Sequence, residues 1–538
     1  MQQRPFRSWL AGLAVAGVVA AAALAHAPQQ PQRFALEEAS IRELQQRMAE
    51  RLDSSRTLVA QYLARIDALD RRGPELRSII EVNPDALAIA DQRDAERRAG
   101  RLRGPLHGIP IVIKDNIATG DRMLTTAGSL ALAGAAAPRD AFIVERLRES
   151  GAVILGKTNM SEWANFRSTR SSSGWSARGG QTRNPYALDR SPSGSSSGSA
   201  VAVAASLAAA AIGTETDGSI VSPASNNALV GIKPTVGLVS RTGIVPIAHS
   251  QDSAGPMARS VADAVLLLNA IAGRDPADRS TSAAANQPAD YARFLDPNGL
   301  SGARIGVVRN RLFGYSAAAD DLARVALADL KLGGAVMVDP ANIPTLGKFD
   351  ESEFEVLLYE FNAGMQTFLA WLGPGTAVRS LHDIIRFNEE HRAEEMPHFG
   401  QEIMTLAAAK GPLSSAEYKK ALAANLKMAR ADGIDLVMKK YRLDALVAPT
   451  GGPAWLIDLV NGDGGTAAAP APSTVAAVAG YPHITVPMGF YRGLPIGLSF
   501  FGKAWSEPTL IRIAFAYEQA TGHRRPPTFA ATAALDGP

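Results

Sequence analysis

Residues 184–224 read NPYALDRSPSGSSSGSAVAVAASLAAAAIGTETDGSIVSPA, and this stretch decides the fold that we expect. A loop rich in serine and glycine leads into a run of alanine and valine, and a Thr-Asp-Gly-Ser turn follows the run. Residues 200–212 are apolar on every side, which predicts a helix buried in the core. Such a helix would bring Ser195 and Ser219 beside each other, one at each end.

Helix and strand patterns alternate on both sides of this stretch. Apolar spacing near 3.6 predicts helices, and short apolar runs bounded by glycine or proline predict strands. The alternation predicts an α/β fold built on a sheet. We expect two helices within 36–73, the second capped by Ser54 or Ser55, and further helices at 141–150 and 507–521. Strands are expected at 111–113, 152–155 (closed by Gly156), 304–308, 445–447 and 484–488.

From about 350 to 442 the sequence is helical and charged. This segment could form a lid or an additional helical layer. A polar loop precedes the decisive stretch: residues 165–199 are rich in serine, glycine, arginine and asparagine. Loops of that length in compact domains are usually functional or disordered.

Three lysines follow the same pattern at the ends of apolar strands. Lys114 stands after Ile-Val-Ile, while Lys157 and Lys233 lie in GKTN and GIKP. A buried ammonium has a lowered pKa, so the neutral amine can act as a base. The pattern alone does not choose between the three, and a surface lysine at a strand end is the ordinary alternative.

The two serine segments have functional and ordinary interpretations. Gly218 permits a tight turn before Ser219, where backbone N–H groups could converge on an oxyanion; a common helix C-terminal turn is the alternative. The Gly/Ser segment around Ser195 could be a flexible linker, although linkers rarely lead directly into a buried helix. The same segment matches G-x-S-x-G centred on Ser196, but the strand that this motif requires is missing before it.

Composition narrows the chemistry. The 538 residues include no cysteine, which excludes disulfides, thiol nucleophiles and Cys-zinc sites. None of the eight histidines forms a metal-binding motif, and no glycine-rich phosphate loop follows a strand. We therefore predict no metal and no nucleotide cofactor. A Ser-His-Asp triad stays open, since its members need not be close in sequence.

Residues 1–27 have the pattern of a secretory signal. Arg4 and Arg7 precede an apolar run that ends in Ala25-His26-Ala27, an A-x-A cleavage pattern. The alternative is an uncleaved anchor, because the run is nearly long enough to span a bilayer. Cleavage would lower the formal charge from +3 to +1, which removes the electrostatic support for nucleic-acid binding. We expect an exported protein, periplasmic or secreted, with 28–35 as a linker.

Four motifs in order resemble those of the amidase signature family. They are RGPLHGIPIVIKDNI at 103–117, SGSSSGSA at 193–200, GTETDGSI at 213–220 and GIKPTVGLVSRTGIVPIAHSQDSAGPMARS at 231–260. The resemblance covers roughly 36–525 and is weakest between about 340 and 440. It implies a large twisted mixed β-sheet covered by α-helices on both faces. It also implies a single catalytic domain over 36–535, with a more variable helical region at about 340–440.

The resemblance assigns roles by position. Ser219 resembles the nucleophile, and Ser195 resembles a bridging serine whose preceding peptide bond is cis in the family. Lys114 resembles the base that takes the proton relayed through Ser195. No cofactor is implied. The backbone N–H groups that resemble the oxyanion hole belong to Thr216, Asp217, Gly218 and Ser219.

Departures from the family pattern bear on the substrate. The usual Gly-Gly before the nucleophile is Asp217-Gly218, and the usual Asp of the motif is Glu215. Val221 stands where many members carry an arginine that can meet a substrate carboxylate. The motif sequences ETDGSIV and SPSGSSSGS resemble those of the peptide amidase branch, so we expect an enzyme that deamidates C-terminally amidated peptides. We also expect a monomer, with no nucleic-acid partner and no membrane partner. The alternatives are an aryl-acyl or fatty-acyl amide hydrolase, the glutaminase subunit of a tRNA-dependent amidotransferase, and a catalytically inactive binding protein.

Overall fold

The computed structural model describes residues 34–134, 136–463 and 471–534. The chain divides into two units, Met1–Glu38 and Ala39–Pro538. In the first unit the described residues form only a turn at 35–38. The signal predicted at 1–27 and most of the linker predicted at 28–35 lie outside the described residues. Everything below concerns the second unit.

Within these residues eleven strands form one mixed sheet. Their spatial order is β1-β3-β2-β6-β8-β7-β12-β13-β11-β9-β10, and β4 pairs with β5 in a separate ribbon. The strands are β1 (Ile79–Val82), β2 (Pro110–Lys114), β3 (Val153–Thr158), β4 (Trp175–Ser176), β5 (Gly180–Gln181), β6 (Ala210–Glu215), β7 (Val230–Lys233), β8 (Ser253–Ala258), β9 (Arg304–Val307), β10 (Val336–Val338), β11 (Ala445–Pro449), β12 (His483–Tyr491) and β13 (Leu494–Phe501).

Helices flank this sheet, as the resemblance implied. They are α1 (Ile41–Ala49), α2 (Ser55–Arg65), α3 (Ala86–Arg98), α4 (Phe142–Glu149), α5 (Ser197–Ala204), α6 (Val221–Asn226), α7 (Val261–Ile271), α8 (Ala317–Leu332), α9 (Asp350–Leu372), α10 (Leu381–Glu390), α11 (Arg392–Glu395), α12 (Glu402–Ala408), α13 (Ala416–Leu426), α14 (Asp435–Tyr441), α15 (Pro472–Ala479) and α16 (Glu507–Thr521). No helix of the described ranges is long and apolar enough to cross a membrane.

The two N-terminal helices form as predicted. Ser54 is the residue that caps α2, because its side chain accepts the N–H of Thr57. The helix continues as a π-helix over Ile66–Arg71. Val59 and Ile66 are fully buried, so the apolar spacing identified the buried face correctly.

The prediction of one buried helix over 200–212 is wrong. The helix α5 ends at Ala204, and the chain then enters β6, a central strand that is buried along its whole length. A continuous apolar run suits a buried helix and a strand covered on both faces equally well, so composition alone does not separate them. Ser195 and Ser219 therefore lie at the two ends of a helix–turn–strand unit.

A second boundary also differs from the prediction. Strand β3 runs through Gly156 and ends at Thr158, where the sequence had suggested closure at Gly156. A Cβ atom at this glycine would clash with the backbone carbonyl of Glu81 in β1. The glycine therefore permits close approach of the neighbouring strand within the sheet.

The helical region at 340–440 packs onto the body of the protein. Three side chains of α9, Phe361, Met365 and Phe368, share one buried cluster with Met160 and Trp163 from the segment that follows β3. Burial of apolar side chains is the usual driving force that packs a helix onto the core of a protein. The region is accordingly an integral helical layer.

Candidate active site

Parallel pairing places two of the predicted motifs at one edge of the sheet. Strands β2 and β6 are parallel neighbours, with Ile113 opposite Ile212. Because the carboxyl ends of parallel neighbours meet at one edge, Lys114 and the segment after Gly213 leave the sheet together. This pairing explains how residues a hundred positions apart in sequence come into contact.

Lys114 ends β2 and is fully buried. Its Nζ atom lies 2.8 Å from Ser195 Oγ, 2.9 Å from Thr214 Oγ1 and 3.1 Å from the carbonyl oxygen of Thr214. Asn116 Nδ2 donates to the same Thr214 hydroxyl at 2.9 Å. Three acceptors therefore surround the amine, one of them the predicted bridging serine.

Burial lowers the pKa of Lys114 to about 7, and the nearby acids Glu215 and Asp252 offset part of that shift. Neutral and charged forms are therefore both accessible near neutral pH. A neutral amine can donate its two protons to the two oxygens of Thr214. Its lone pair is then directed at the hydroxyl of Ser195, which is the geometry that a general base requires.

The structure distinguishes Lys114 from the two other strand-end lysines. Burial also lowers the pKa values of Lys157 and Lys233, each to about 8. Lys157 Nζ donates to the carbonyl groups of Ile117 and Leu124 and to Thr125 Oγ1, and Lys233 Nζ donates to the carbonyl of Tyr481. Of the three, Lys114 alone contacts Ser195.

Ser195 and Ser219 belong to segments that are held together by Ser196. The Ser196 N–H donates to the carbonyl of Ser219 at 3.1 Å. The Ser196 hydroxyl donates to the carbonyl of Thr214 at 3.0 Å and accepts its N–H at 3.2 Å. The Gly194–Ser195 peptide bond is cis, as the resemblance implied. Ser196, the serine at the centre of the G-x-S-x-G match, therefore holds the neighbouring segments in position.

The turn from Thr216 to Ser219 leaves its amides available. No hydrogen bond runs from the backbone N–H groups of 216–219 to another atom of the described residues. The next two amides, of Ile220 and Val221, are bound instead by Glu215 Oε2 at 2.7 and 3.0 Å. Glu215 therefore fixes the conformation of the turn through hydrogen bonds to the two amides that follow it. The amides of 216–219 can bind a ligand, as an oxyanion hole requires.

Some of the supporting residues were not predicted from the sequence. Thr214 and Asn116 complete the surroundings of Lys114, and Asp252 accepts a hydrogen bond from Thr216 Oγ1 at 2.5 Å. All three stand inside the quoted motifs, and for Thr214 and Asn116 the available signal was their position beside the key residues. Asp252 comes from the segment before β8, and only the tertiary fold brings it here.

A cavity of about 660 Å³ reaches the site at Gly194 and Gly218. Polar and apolar groups contribute about equally to its walls: hydroxyl groups from the 168–173 loop, Tyr315 and Ser473 line it, and Trp455 adds an aromatic face. A second cavity of about 440 Å³ reaches Thr214 and Thr216 and has more apolar walls. The second cavity does not include the turn glycine or Gly194, so the first is the candidate substrate cavity.

Among the residues that the structure describes, no group of three His, Asp or Glu side chains is arranged to hold a metal ion. The groups at the site are two serine hydroxyls, one lysine and backbone amides. Together they can supply a nucleophile, a proton relay and stabilisation of an oxyanion.

We expect Gly218→Ala to lower kcat by about 100-fold, the typical effect of losing an oxyanion donor. Gly218 has φ of +76°, where an alanine is strained, and an added Cβ would lie 3.1 Å from Ser473 Oγ, a tight contact that a shift of the turn or of Ser473 must relieve. Gly493→Ala is the matched control: Gly493 has φ of +79°, but nothing lies within 4 Å of the added Cβ. It should cost only about 1–2 kcal/mol of stability. Equal losses of kcat in the two variants would contradict the proposed place of the turn in the reaction.

Comparisons with known proteins agree with this geometry. The amidase family model matches residues 57–511. A solved peptide amidase from Stenotrophomonas maltophilia is 54% identical, with a TM-score of 0.88, and the match covers 92% of this chain and 99% of that one. A probable amidase of Arabidopsis thaliana is 44% identical over 93% of both chains. A glutamyl-tRNA(Gln) amidotransferase subunit from a Synechococcus strain is 34% identical, covering 90% of this chain and 93% of its own. The chain therefore belongs to the amidase family and is a hydrolase that acts on amides.

Proposed function

We propose that this amidase hydrolyses the C-terminal carboxamide of short peptides, releasing ammonia and the free acid. The observation that carries the proposal is the cavity of about 660 Å³ that reaches the turn before Ser219 and carries many hydroxyl groups in its walls. Hydroxyl groups along its walls can pair with the N–H and C=O groups of a peptide. Two polar atoms of the wall, Tyr315 Oη and Asp217 Oδ1, have no hydrogen-bond partner within the described residues. A fatty chain placed there would leave both without one, which costs free energy.

The proposed reaction begins with acylation. Ser219 Oγ attacks the carboxamide carbon while its proton passes to Ser195 Oγ and the proton of Ser195 passes to Lys114 Nζ. The carbonyl oxygen becomes an oxyanion, which accepts hydrogen bonds from the free amides of 216–219. The C–N bond then breaks as the proton returns through Ser195 to the leaving nitrogen, so ammonia departs and an ester remains on Ser219.

Water completes the cycle by the same relay. Lys114 is again neutral after ammonia has left, so it can accept a proton, through Ser195, from the water that attacks the ester. The tetrahedral intermediate collapses, the proton returns to Ser219 Oγ, and the acid is released. Each proton that leaves a nucleophile is restored within one turnover.

We expect kcat/KM to rise with pH and to reach a plateau above about pH 7. Burial lowers the pKa of Lys114 to about 7, and only the neutral amine can accept a proton. Below that value the neutral fraction falls tenfold per pH unit, so the rate should fall with it. Initial rates with an uncharged carboxamide, measured from pH 5 to 9, check this. A profile that stays flat to pH 5 would contradict a lysine base.

The experiment that tests the substrate is ammonia release from a short C-terminally amidated peptide, using residues 28–538. Mass spectrometry of the product should show one carboxamide converted to the acid and every internal peptide bond intact. An anilide and a fatty amide are offered in parallel. Cleavage of either one without cleavage of the peptide amide would contradict the peptide substrate and would favour the aryl-acyl or fatty-acyl alternative.

The relatives also include amidotransferase subunits, so the glutaminase alternative has its own support. Against it, Val221 stands where an arginine would be expected to meet the carboxylate of glutamine. Its side chain is apolar and buried, so it offers no charge to a carboxylate. Glutamine hydrolysis at a rate comparable with that of the peptide amide would reverse this preference.

We further propose that the protein is exported as a monomer after cleavage at Ala27. The support is the sequence pattern of residues 1–27. N-terminal sequencing of the protein recovered from the periplasm or medium should begin at Pro28, and light scattering should give the mass of one chain. Recovery of the uncleaved chain in the membrane fraction would contradict export with cleavage.

A further inference from the structure

The proposed mechanism uses the backbone N–H of Asp217 but gives its side chain no role. Asp217 stands two positions before Ser219, where the family pattern has glycine, and it lines the substrate cavity beside Gly218. Its Oδ1 atom is buried and has no hydrogen-bond partner within the described part of the chain. A buried acceptor without a partner is costly, which suggests that a ligand supplies the missing donor.

The charges lining the cavity have one sign. The described residues of its wall include no lysine, arginine or histidine, and the one other acid is Asp463. Both oxygens of Asp463 are already bound, Oδ1 by Trp455 Nε1 at 2.9 Å and Oδ2 by the Ser173 N–H at 2.8 Å. Asp217 therefore provides the available carboxylate oxygen of the cavity.

Some of the groups around Asp217 raise the pKa of its carboxyl and others lower it. Burial raises the pKa of its carboxyl, while hydrogen bonds from the side chains of Ser473 and Thr474 at the start of α15 lower it, as does the charge of Lys233. Glu353 of α9 is also close, and the charge of Asp217 contributes to a raised pKa there. An additional positive charge or N–H donor in the cavity would relieve this concentration of acids.

The position of Asp217 limits which part of a substrate it can reach. Its own backbone amide belongs to the turn that is proposed to bind the reacting carbonyl oxygen. Its side chain branches from that same turn and can therefore reach only the part of the substrate next to this carbonyl. In a peptide carboxamide the nearest N–H donor, apart from the leaving group, is on the nitrogen of the adjacent α-carbon. That nitrogen is an ammonium in an amino-acid amide and a peptide N–H in a longer substrate.

We propose that Asp217 is a specificity residue that accepts a hydrogen bond from the α-nitrogen of the residue bearing the carboxamide. The inference rests on the proposed function and narrows it: amides with an N–H at that position are preferred to simple alkyl amides of the same size. A carboxylate in the cavity is disfavoured, because the wall offers it only negative charge.

The test uses four carboxamides of similar shape. Leucinamide carries an ammonium, N-acetyl-leucinamide carries an amide N–H, N-acetyl-N-methyl-leucinamide has the nitrogen without a proton, and 4-methylpentanamide has no α-nitrogen. The wild-type enzyme should prefer the first two over the last two by about 10- to 100-fold in kcat/KM, the typical worth of a hydrogen bond to a charged group.

Two variants assign that preference to the carboxylate. Asp217→Asn keeps an acceptor but removes its charge, so the ratio of kcat/KM for leucinamide to that for N-acetyl-leucinamide should fall. Asp217→Gly removes the acceptor, so the ratio between N-acetyl-leucinamide and 4-methylpentanamide should fall about 10-fold or more. The ratios cancel any loss of activity common to all substrates, including a shift of the turn, so a merely structural role would leave them unchanged.

The outcomes separate this inference from the proposed function. Hydrolysis of all four carboxamides with the same ratios in wild type and both variants would overturn the role of Asp217 and leave the amidase function intact. No hydrolysis of any peptide or amino-acid carboxamide by the wild type would overturn the proposed function itself.

Discussion

Ser219→Ala should abolish turnover, with kcat lower by on the order of 10⁵- to 10⁶-fold, as when the nucleophile of another serine hydrolase is removed. Without the hydroxyl no acyl-enzyme can form, and Lys114 and Ser195 have no proton to relay. Ser219 is 8% exposed, and an alanine fits the same space, so the fold should be unaffected. The measurement is single-turnover and steady-state ammonia release, with circular dichroism and the melting temperature as tests of folding.

The control for this variant is Ser282→Ala, which removes a serine hydroxyl from an exposed position away from both cavities. Its kcat should equal that of the wild type. Substantial turnover by Ser219→Ala, with a melting temperature like that of the wild type, would place the nucleophile elsewhere. In that case Ser195, whose hydroxyl lies 2.8 Å from Lys114 Nζ, would be the next residue to replace.

Lys114→Ala should be nearly as damaging, with kcat lower by about 10⁴-fold or more, because residues that act as one catalytic unit fail together. The variant removes the proton acceptor 2.8 Å from Ser195 Oγ. The residual activity should also lose the rise through about pH 7, since the group responsible for it is gone. Rates from pH 5 to 9 for the wild type and the variant measure both effects.

The control here is Lys157→Met, which replaces a lysine that is equally buried and has a similarly lowered pKa. Its Nζ bonds to two carbonyl groups and a threonine, so it stabilises the loop after β2 and does not touch Ser195. We expect a lower melting temperature but retention of most of the kcat per folded molecule. If the pH profile lost its midpoint near pH 7 in Lys157→Met but kept it in Lys114→Ala, Lys157 would be the base and Lys114 the structural lysine.

The α/β class and most elements could be predicted from the sequence because they rest on local patterns. The apolar spacing of α2, the cap at Ser54 and the short run that leads to Lys114 each report on neighbouring residues only. The candidate site was predicted through the resemblance, and the roles of its residues stay predictions. The residues alone left three lysines and several interpretations of each serine segment open.

What failed or was missed depends on contacts distant in sequence. The run after Ser199 is apolar except for Ser206, and only the pairing of β6 with β2 and β8 makes its second half a strand. Strand β13 was not predicted, although its hairpin with β12 is the longest pairing among the described strands of the sheet. The contact of Lys114 with Thr214, and the choice of Lys114 over Lys157, likewise follow from the order of strands.

The parallel pairing of β2 with β6 has a consequence for how this protein loses activity. Side chains alternate faces along a strand, so a slip of one residue between the two strands would move Lys114 by about 3.3 Å and turn its amine to the opposite face. No local adjustment of a rotamer could restore its contact with Ser195. Enzymatic activity is therefore a reporter of correct strand alignment in the centre of the protein: during refolding it should appear only after the central strands have locked into place, later than the bulk of the helical signal.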